Sequence, residues 1–390
     1  MHQRNIFCIS VIDITFVNKY VKNITMSSLE LTELFISLAK IDGISHNEKA
    51  VAEFIIKYLT GLGFEPYLDK SEKKTKSNTG NVICKINGGG DVLFLSHMDT
   101  ARSTAGLKVI RQNGKLTSDG KTVLGVDNRV GNTILLATAN YLSKNKSIKK
   151  GITLAFTTCE ETTLAGSKNL ELNDDINRVF VFDSYMRPGN FIRSSLGAAT
   201  FKIEIQGKAS HAGISPEKGI NAIKVASNAI CKSKTGRIND KTTVNFGIIR
   251  GGTGVNVVPE NVYLEGEVRS ATKEKVEEQL KLIEKTFNEF GKDYGAEIYF
   301  DYDWDFMPFF IDKKEKVYRD IVNAIEKSGL TPTAVDSNGG SDANSMNERG
   351  IPAVNIGIGA QNPHSNEEFI YLEDLENDFQ IAKNLVHLDD

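Results

Sequence analysis

Several histidine and carboxylate side chains follow hydrophobic segments that have the pattern of buried β-strands. They are His97, Asp99, Asp127, Glu160, Glu161, Asp183 and, in the loop after the VNIGIG segment, His364. Because the carboxyl ends of strands in an open α/β sheet meet at one edge, we expect these side chains to surround one small volume. Carboxylates that are so close repel one another unless protons or cations neutralise them. The sequence therefore predicts a site for metal cations.

Two divalent cations would balance the charge of this cluster. We expect Asp127 to bridge both cations. His97 and Asp183 then complete one site, and His364 completes the other with one of the adjacent glutamates. Mixed histidine and carboxylate ligands suit zinc, with cobalt or manganese as alternatives. Two cations about 3.5–4 Å apart can polarise a carbonyl group and lower the pKa of a bound water, which is hydrolytic chemistry.

Two further features of the cluster fit this chemistry. Asp99 lies two residues after His97 and could accept the proton of the ring nitrogen that does not bind metal, which would select the tautomer. One glutamate of the pair at 160 and 161 must bind metal. The other must stay free to take a proton from water and to deliver it to the leaving amine. Spacing alone does not decide between them.

Each of these residues has a simpler interpretation when it is taken alone. His97 could be a hydrogen-bonded buried histidine, and Asp127 could cap a helix. Asp183 could end a strand in a turn, and the glutamates could be exposed acids in a first helical turn. None of these interpretations explains why all of the residues share one predicted sheet edge. The dinuclear metal site is therefore the favoured hypothesis.

Composition and missing motifs exclude several other functions. A formal net charge of −3 with interspersed lysines and acids does not favour nucleic acid or a membrane surface as a partner. The chain lacks a GxSxG elbow and a P-loop lysine. The four cysteines are far apart and form no CxxC pair, which argues against a disulfide framework and indicates a cytoplasmic protein.

The order of hydrophobic patterns predicts two domains in the 390 residues. Strands that alternate with helices over 27–195 and 308–390 indicate a doubly wound α/β catalytic domain with a mixed sheet. Between them, residues 196–307 have the pattern of a two-layer α+β insertion, which we call the lid. We interpret residues 1–25 as an extension before a second start at Met26, and the SEKKTKS run (71–77) as a solvated hairpin.

Several ordered motifs resemble one family of enzymes. They include SHMDTA, GVDNRVG, TTCEETTLAGS, GKASHAGISPEKGINAI, GGTGVNVVPE and GGSDAN. Together they resemble the co-catalytic zinc exopeptidases, a family that includes peptidase T, carboxypeptidase G and acetylornithine deacetylase. Their order and spacing are most similar to the peptidase T-like branch, from about Leu29 to the C-terminus. The resemblance implies that Glu161 binds metal and that Glu160 is the general base acting on a water held between the metals.

The same resemblance assigns roles outside the metal cluster. It implies that His211 polarises the scissile carbonyl, commonly from a neighbouring subunit, and that Asn256 and Arg269 engage polar groups of the substrate. Gly340 and Ser341 would lie in a turn that lines the pocket. The lid would also form a homodimer. One position departs from the family pattern, because Asn128 stands where relatives usually have aspartate after the bridging carboxylate.

These observations lead to three candidate functions. The first is a cytoplasmic exopeptidase with two metal ions that hydrolyses short peptides, in particular a tripeptide aminopeptidase. The second is an amidohydrolase of the same family that removes an acyl group from an amino acid. The third is an inactive binding protein on the same fold, which is disfavoured because Glu160 and all of the predicted ligands are present.

Overall fold

The computed structural model describes residues 26–172 and 175–388, so the predicted extension at 1–25 lies outside the described residues. The helices are α1 (Ser28–Ala39), α2 (Lys49–Gly61), α3 (Glu72–Thr75), α4 (Val126–Lys144), α5 (Glu160–Thr163), α6 (Ala165–Lys168), α7 (Ala222–Lys232), α8 (Lys273–Tyr294), α9 (Lys316–Lys327), α10 (Asp342–Glu348) and α11 (Leu372–Val386). A 3-10 turn spans Pro216–Lys218.

The strands follow the same numbering along the chain. They are β1 (Tyr67–Leu68), β2 (Val82–Ile86), β3 (Val92–His97), β4 (Val109–Gln112), β5 (Lys115–Ser118), β6 (Ile152–Thr157), β7 (Arg178–Ser184), β8 (Asn190–Ser195), β9 (Gly197–Gln206), β10 (Gly236–Asn239), β11 (Thr242–Gly251), β12 (Asn261–Ser270), β13 (Glu297–Phe306), β14 (Phe309–Phe310), β15 (Thr333–Ser337), β16 (Ala353–Gly357) and β17 (Phe369–Tyr371).

The largest sheet has the strand order β1-β2-β6-β3-β7-β16-β8-β14, with β15 paired to β8. Its central strands β6, β3, β7 and β16 are parallel, whereas β2 and β8 join them antiparallel. The central strands are buried along almost their whole length, as strands covered by helices on both faces must be. This is the predicted doubly wound mixed sheet, and it directs the ends of β3, β6, β7 and β16 to one edge.

The lid forms a separate antiparallel sheet with the order β10-β11-β12-β9-β13. Helices α7 and α8 pack together and against this sheet, and they enclose a second hydrophobic core that includes Phe201, Leu264 and Phe287. The chain leaves the main sheet after β8 and rejoins it at β14. The lid is therefore a two-layer α+β unit, as the alternating pattern of its strands predicted.

A small third sheet has the order β17-β5-β4. Strand β17 follows the loop that carries His364, and it pairs with β5 through Ile370 and Leu116, both of which are fully buried. This pairing anchors the His364 loop to the segment that leads into α4. The hydrophobic pattern of these three short strands did not predict this sheet.

Two local predictions were wrong. The SEKKTKS run contains a short helix, α3, and its Ser71 and Thr75 side chains are buried instead of solvated in a hairpin. The hydrophobic segment TVLGV (122–126), which precedes Asp127, is a loop as far as Gly125 and not one of the predicted buried strands. Gly125 adopts a left-handed conformation (φ 77°), and its N–H donates to a Glu368 carboxylate oxygen instead of a neighbouring strand. Asp127 therefore reaches the sheet edge from the start of α4, where its backbone is not helical (φ −93°, ψ 102°).

Helix α4 approaches the main sheet so closely that one position tolerates only glycine. A Cβ atom added to Gly131 would lie 2.2 Å from the Phe182 carbonyl oxygen and 2.4 Å from the Asn128 side-chain oxygen. We expect Gly131→Ala to reduce the free energy of unfolding by about 1–3 kcal/mol through overpacking. At an unconstrained helix position the same substitution would be stabilising. Chemical denaturation of the metal-free protein measures the change.

The matched control is Gly247→Ala, since an added Cβ there has its nearest neighbour at 3.4 Å. We expect this variant to unfold within about 0.5 kcal/mol of the wild type. Equal stability of the Gly131→Ala variant and the wild type would contradict the packing described here.

Candidate active site

The predicted ligands meet at the carboxyl edge of the main sheet in two clusters. In the first, the Nε2 atom of His97 lies 3.0 Å from an oxygen of Asp127 and 3.0 Å from an oxygen of Asp183. In the second, the Nε2 atom of His364 lies 3.3 Å from the other Asp127 oxygen and 3.1 Å from Glu161. Asp127 belongs to both clusters, as a bridging ligand must.

The donor chemistry of the first cluster fits a cation. The Nδ1 atom of His97 lies 3.0 Å from the backbone oxygen of Asp99, which can only accept a hydrogen bond. Nδ1 therefore carries a proton, and in the neutral ring the Nε2 lone pair faces two carboxylate oxygens. Facing acceptors at this distance need a proton or a cation between them. Two imidazoles and three carboxylates so arranged suit two divalent ions such as zinc.

Protons can compensate the charge of these groups when metal is absent. Burial disfavours the charge on His97, but the Asp183 and Glu160 carboxylates raise its pKa well above the usual value. Hydrogen bonds to Asp127 and Glu161 raise the pKa of His364 to about 10. Burial raises the pKa of Asp183 to about 8. Protons and metal cations therefore compete for the same atoms.

Asp99 is fully buried, so it positions other groups and does not contact substrate. Its carboxylate accepts backbone N–H bonds from Glu160 and Glu161, each at 3.1 Å, and a hydroxyl bond from Ser45 at 2.7 Å. The Asp99 carboxylate lies 3.4 Å from the Nδ1 atom of His97, farther than the Asp99 backbone oxygen. The nearer partner of His97 is thus the backbone oxygen of Asp99, and not the carboxylate that was predicted to orient the ring, whereas the carboxylate fixes the start of α5.

Glu160 and Glu161 differ in their surroundings. Glu161 is held by His364 and by the N–H of Ala101, which donates to its second oxygen at 3.1 Å. Glu160 is outside both ligand clusters, yet it lines the same cleft. Burial raises the pKa of Glu160 well above its usual range; the charge of His97 opposes this shift, and that of Asp183 adds to it. A carboxyl with a raised pKa next to a metal site is suited to accept and release a proton.

Asn128 supports a ligand in a way that aspartate could not. Its amide nitrogen donates to the Phe182 carbonyl at 2.8 Å and to the Asp183 carboxylate at 2.9 Å, and its oxygen accepts the N–H of Gly131 at 2.9 Å. An ionised aspartate would present only acceptors to these two oxygens. The peptide bond between Asp127 and Asn128 is cis.

Two residues that the sequence motifs did not identify hold the predicted ligands in place. Glu368 accepts the N–H of His364 at 2.8 Å and that of Gly125 at 2.6 Å, so it joins the two loops that carry His364 and Asp127. Asn132 donates to the backbone oxygen of His97 at 2.9 Å. The only sequence signal for Glu368 was its place in the segment PHSNEE (363–368), which also contains His364. For Asn132 there was no signal except its position in the buried helix α4.

Two recesses adjoin the ligand clusters, and Glu160, Glu161 and His364 line both of them. The lid recess lies between the domains and is also lined by Arg269, Asp305 and Phe306. The sheet recess is also lined by Asp127, Asp183, Met186, Ile192, Ser337 and Asn355. Gly340 borders both recesses, and a Cβ there would lie 2.6 Å from the Phe306 ring.

The remaining predicted substrate residues differ in their positions. Arg269 faces the lid recess, but its guanidinium already makes two hydrogen bonds of 2.7 Å to Glu267 and one of 2.9 Å to the Asn338 carbonyl. Ser341 is buried, and its side chain caps α10. Ser341 therefore stabilises the turn beside Gly340 and does not line either recess.

His211 and Asn256 lie together on the lid, where the N–H of Ala212 donates to the Asn256 carbonyl at 2.9 Å. Neither side chain lines the lid recess or the sheet recess. The N–H of Gly213 donates to the Nδ1 atom of His211 at 3.2 Å, so the neutral ring carries its proton on Nε2. Exposed His211 can thus donate a hydrogen bond from Nε2 to a carbonyl oxygen.

Comparisons with known proteins agree with this geometry. A model of peptidase family M28 matches residues 81–218, and a model of the peptidase dimerisation domain of M20 enzymes matches residues 193–295. The Bacillus subtilis protein YqjE is 33% identical over 350 residues, which cover 88% of this chain and 94% of that protein. The first match spans four of the five predicted ligands, and the second covers residues 196–295 of the lid.

Two solved structures resemble the whole fold. Aminopeptidase PepT from Bacillus cereus has a TM-score of 0.86 and 31% identity, over 93% of this chain and 99% of that one. A tripeptidase from Staphylococcus aureus has a TM-score of 0.86 and 27% identity, over 93% and 98% of the two chains. The fold and the two ligand clusters define a metal-dependent hydrolase. The chain belongs to the M20 family of dinuclear metallopeptidases, in the branch that contains PepT.

We predict that metal binding releases protons from this site. At pH 7.5 the His364 ring, with a pKa of about 10, must lose a proton before Nε2 can bind a cation. Asp183, with a pKa of about 8, is also partly protonated. Affinity for zinc should therefore rise between pH 7 and pH 9, since metal and protons compete. Titration calorimetry in buffers of different ionisation enthalpy counts the protons released.

Thermal unfolding of the metal-free protein gives an independent measurement. Because the folded-state pKa of His364 lies above the ordinary histidine value of 6.5, its stabilising contribution is complete below that pH and is lost as the pH rises toward 10. Zinc-loaded protein should lack this decline, since the ring is already deprotonated. A zinc affinity that is the same at pH 7 and pH 9 would rule out this competition.

Proposed function

We propose that this chain is a cytoplasmic aminopeptidase that binds two zinc ions and hydrolyses short peptides, in particular tripeptides. The observation that carries the proposal is the position of Glu160, which lines both recesses next to the two ligand clusters but belongs to neither. The similarity to PepT and to the tripeptidase supports the direction of cleavage and the substrate length. The free thiols of Cys84, Cys159 and Cys231 agree with a reducing compartment.

The residues of the site provide the proton transfers that amide hydrolysis needs. Two divalent cations held by the clusters would polarise the substrate carbonyl and lower the pKa of water. Glu160 accepts a proton from the attacking water and delivers it to the amine as the peptide bond breaks. Asp99 keeps Glu160 beside the ligands through the backbone of α5. The lid limits the length of peptide that fits between the domains.

Replacement of Glu160 by glutamine separates metal binding from catalysis. We expect Glu160→Gln to bind two zinc ions per chain, since Glu160 lies in neither ligand cluster, but to lose about 10²–10⁴-fold in kcat for tripeptides. Elemental analysis measures the metal content, and mass spectrometry identifies the first residue released from each tripeptide.

Glu367→Gln is the matched control, because this exposed glutamate is in the His364 loop but lines neither recess. It should keep wild-type activity. Release of the carboxyl-terminal residue first would refute the aminopeptidase direction. Cleavage of N-acyl amino acids alone would favour the amidohydrolase, and no cleavage of any substrate by the zinc-loaded protein would favour a binding protein.

We further propose that the lid mediates a homodimer in which His211 of one copy acts at the metal site of the other. The match of the lid to a peptidase dimerisation domain supports the dimer. The exposure of His211 outside both recesses supports its action on a second copy. A histidine that donates from Nε2 could stabilise the negative charge that develops on the carbonyl oxygen.

A mixed dimer tests this arrangement. We expect Glu160→Gln and His211→Ala homodimers to be nearly inactive, because one lacks the base and the other lacks the lid histidine. A heterodimer purified through two different tags should recover about half of the wild-type activity, since one of its two sites has both groups. Absence of recovery would place His211 in the same chain as the site that it serves, and failure to isolate a two-tag complex would exclude the dimer.

A further inference from the structure

Glu48 is a buried carboxylate whose partner Cys159 immediately precedes the proposed general base, Glu160. It lies just before α2 and is fully buried. One of its oxygens accepts the N–H of His46 at 3.0 Å, the N–H of Cys159 at 2.9 Å and the thiol of Cys159 at 3.3 Å. The other oxygen accepts the Ser77 hydroxyl. All of these partners are donors, so Glu48 joins three segments of the chain as a hydrogen-bond acceptor.

The turn between β6 and α5 is held by side chains. The N–H groups of residues 158 to 161 donate, in order, to the side-chain oxygen of Asn81 at 3.0 Å, to Glu48 at 2.9 Å and twice to Asp99 at 3.1 Å. Helix α5 has only four residues, and a helix of that length has little stability of its own. The three acceptor side chains therefore set the position of this turn.

Cys159 has a backbone conformation that needs such support. Its φ of 52° is in the left-handed region, which is unfavourable for a residue with a β-carbon. Glu48 contacts both the N–H and the thiol of Cys159, so it holds this residue through its backbone and through its side chain. Because Glu160 follows directly, the direction of its side chain depends on the conformation of Cys159.

Glu48 and Asp99 support different parts of the turn. Asp99 accepts the N–H groups of both Glu160 and the predicted ligand Glu161, so its loss would disturb the base and the metal site together. Among the described residues of this turn, Glu48 accepts hydrogen bonds from Cys159 alone. Loss of the Glu48 contacts should therefore displace the base and leave the ligand in place.

We propose that Glu48 is a positioning residue for Glu160, which it directs through the backbone and the thiol of Cys159. This inference rests on the proposed role of Glu160 in peptide hydrolysis. Glu48 lines neither the lid recess nor the sheet recess and belongs to neither ligand cluster, so it acts on the geometry of the turn and contacts neither substrate nor metal. A displacement of about 1 Å at a catalytic group can reduce a rate about 10²-fold.

Two conservative substitutions separate the hydrogen bonds of Glu48 from its charge. Glu48→Gln keeps the side-chain length, so its oxygen can accept the same N–H groups while its nitrogen donates to the Ser77 oxygen. Glu48→Asp keeps the charge but is one methylene too short to reach both Ser77 and Cys159. We expect Glu48→Gln to retain at least about a third of the wild-type kcat for tripeptides, and Glu48→Asp to lose about tenfold or more. KM should change less than about twofold, and both variants should bind two zinc ions.

Hydrogen exchange measured by mass spectrometry on the zinc-loaded proteins reports on the turn independently of activity. Peptides that contain residues 158–161 should exchange faster in Glu48→Asp than in the wild type, because the N–H of Cys159 loses its acceptor. In Glu48→Gln the same peptides should exchange at the wild-type rate.

Asp320→Asn is the control for a general loss of stability. Asp320 is a buried carboxylate that pairs with Arg178 at the start of β7, whereas the predicted ligand Asp183 lies near the end of that strand. Removal of its charge should destabilise the main-sheet domain, since Arg178 loses a partner. Both kcat and the exchange of residues 158–161 in the folded enzyme should stay at the wild-type values.

Three results would overturn the proposal. They are a wild-type kcat in Glu48→Asp, an equal loss of kcat in Glu48→Gln and Glu48→Asp, and loss of zinc from Glu48→Asp. The second result would indicate that the charge of Glu48 matters instead of its hydrogen bonds, and the third that Glu48 supports the metal site. Failure of the wild type to cleave any tripeptide would instead refute the proposed function, and the exchange measurement would still decide whether Glu48 holds the turn.

Discussion

The metal centre depends on one electrostatic constraint. His97 and His364 each direct a ring nitrogen at two carboxylate oxygens, and the distances lie between 3.0 and 3.3 Å. Such groups can share one small buried volume only if cations or protons compensate the negative charge. The surrounding structure holds the two histidines and the carboxylates together against this repulsion. Much of the catalytic domain can be understood as the support for this unfavourable arrangement.

That support comes from backbone groups and neutral side chains more than from opposite charges. Asp99 fixes the two glutamates through their N–H groups, and Glu368 joins two loops in the same way. Asn128 holds Asp183 with an uncharged amide. Uncharged donors direct the ligands without cancelling the charge that attracts the metal, which is how residues behind a metal site tune it.

The division into two cores has a functional consequence. The main sheet and the lid sheet have separate hydrophobic clusters, so the cleft between them is lined by residues that neither core requires. Among the described residues, the predicted metal ligands all belong to the main-sheet domain, whereas Arg269 lines the cleft from the lid. The ligand side and the lid side of the cleft are therefore stabilised by different cores.

The sequence by itself determined the fold class, and it predicted the ligand set and the bounds of the lid. Hydrophobic strand patterns identify buried parallel strands, and the ends of such strands must converge, so His97, Asp183 and the glutamates could be placed together without coordinates. The tertiary structure alone decided which side chains support them. The Glu368 contact to Gly125 joins residues 243 positions apart, and the Asn128 amide that holds Asp183 joins residues 55 positions apart. Local patterns encode which face of a strand is buried, but the direction and partners of a polar side chain depend on distant segments of the chain.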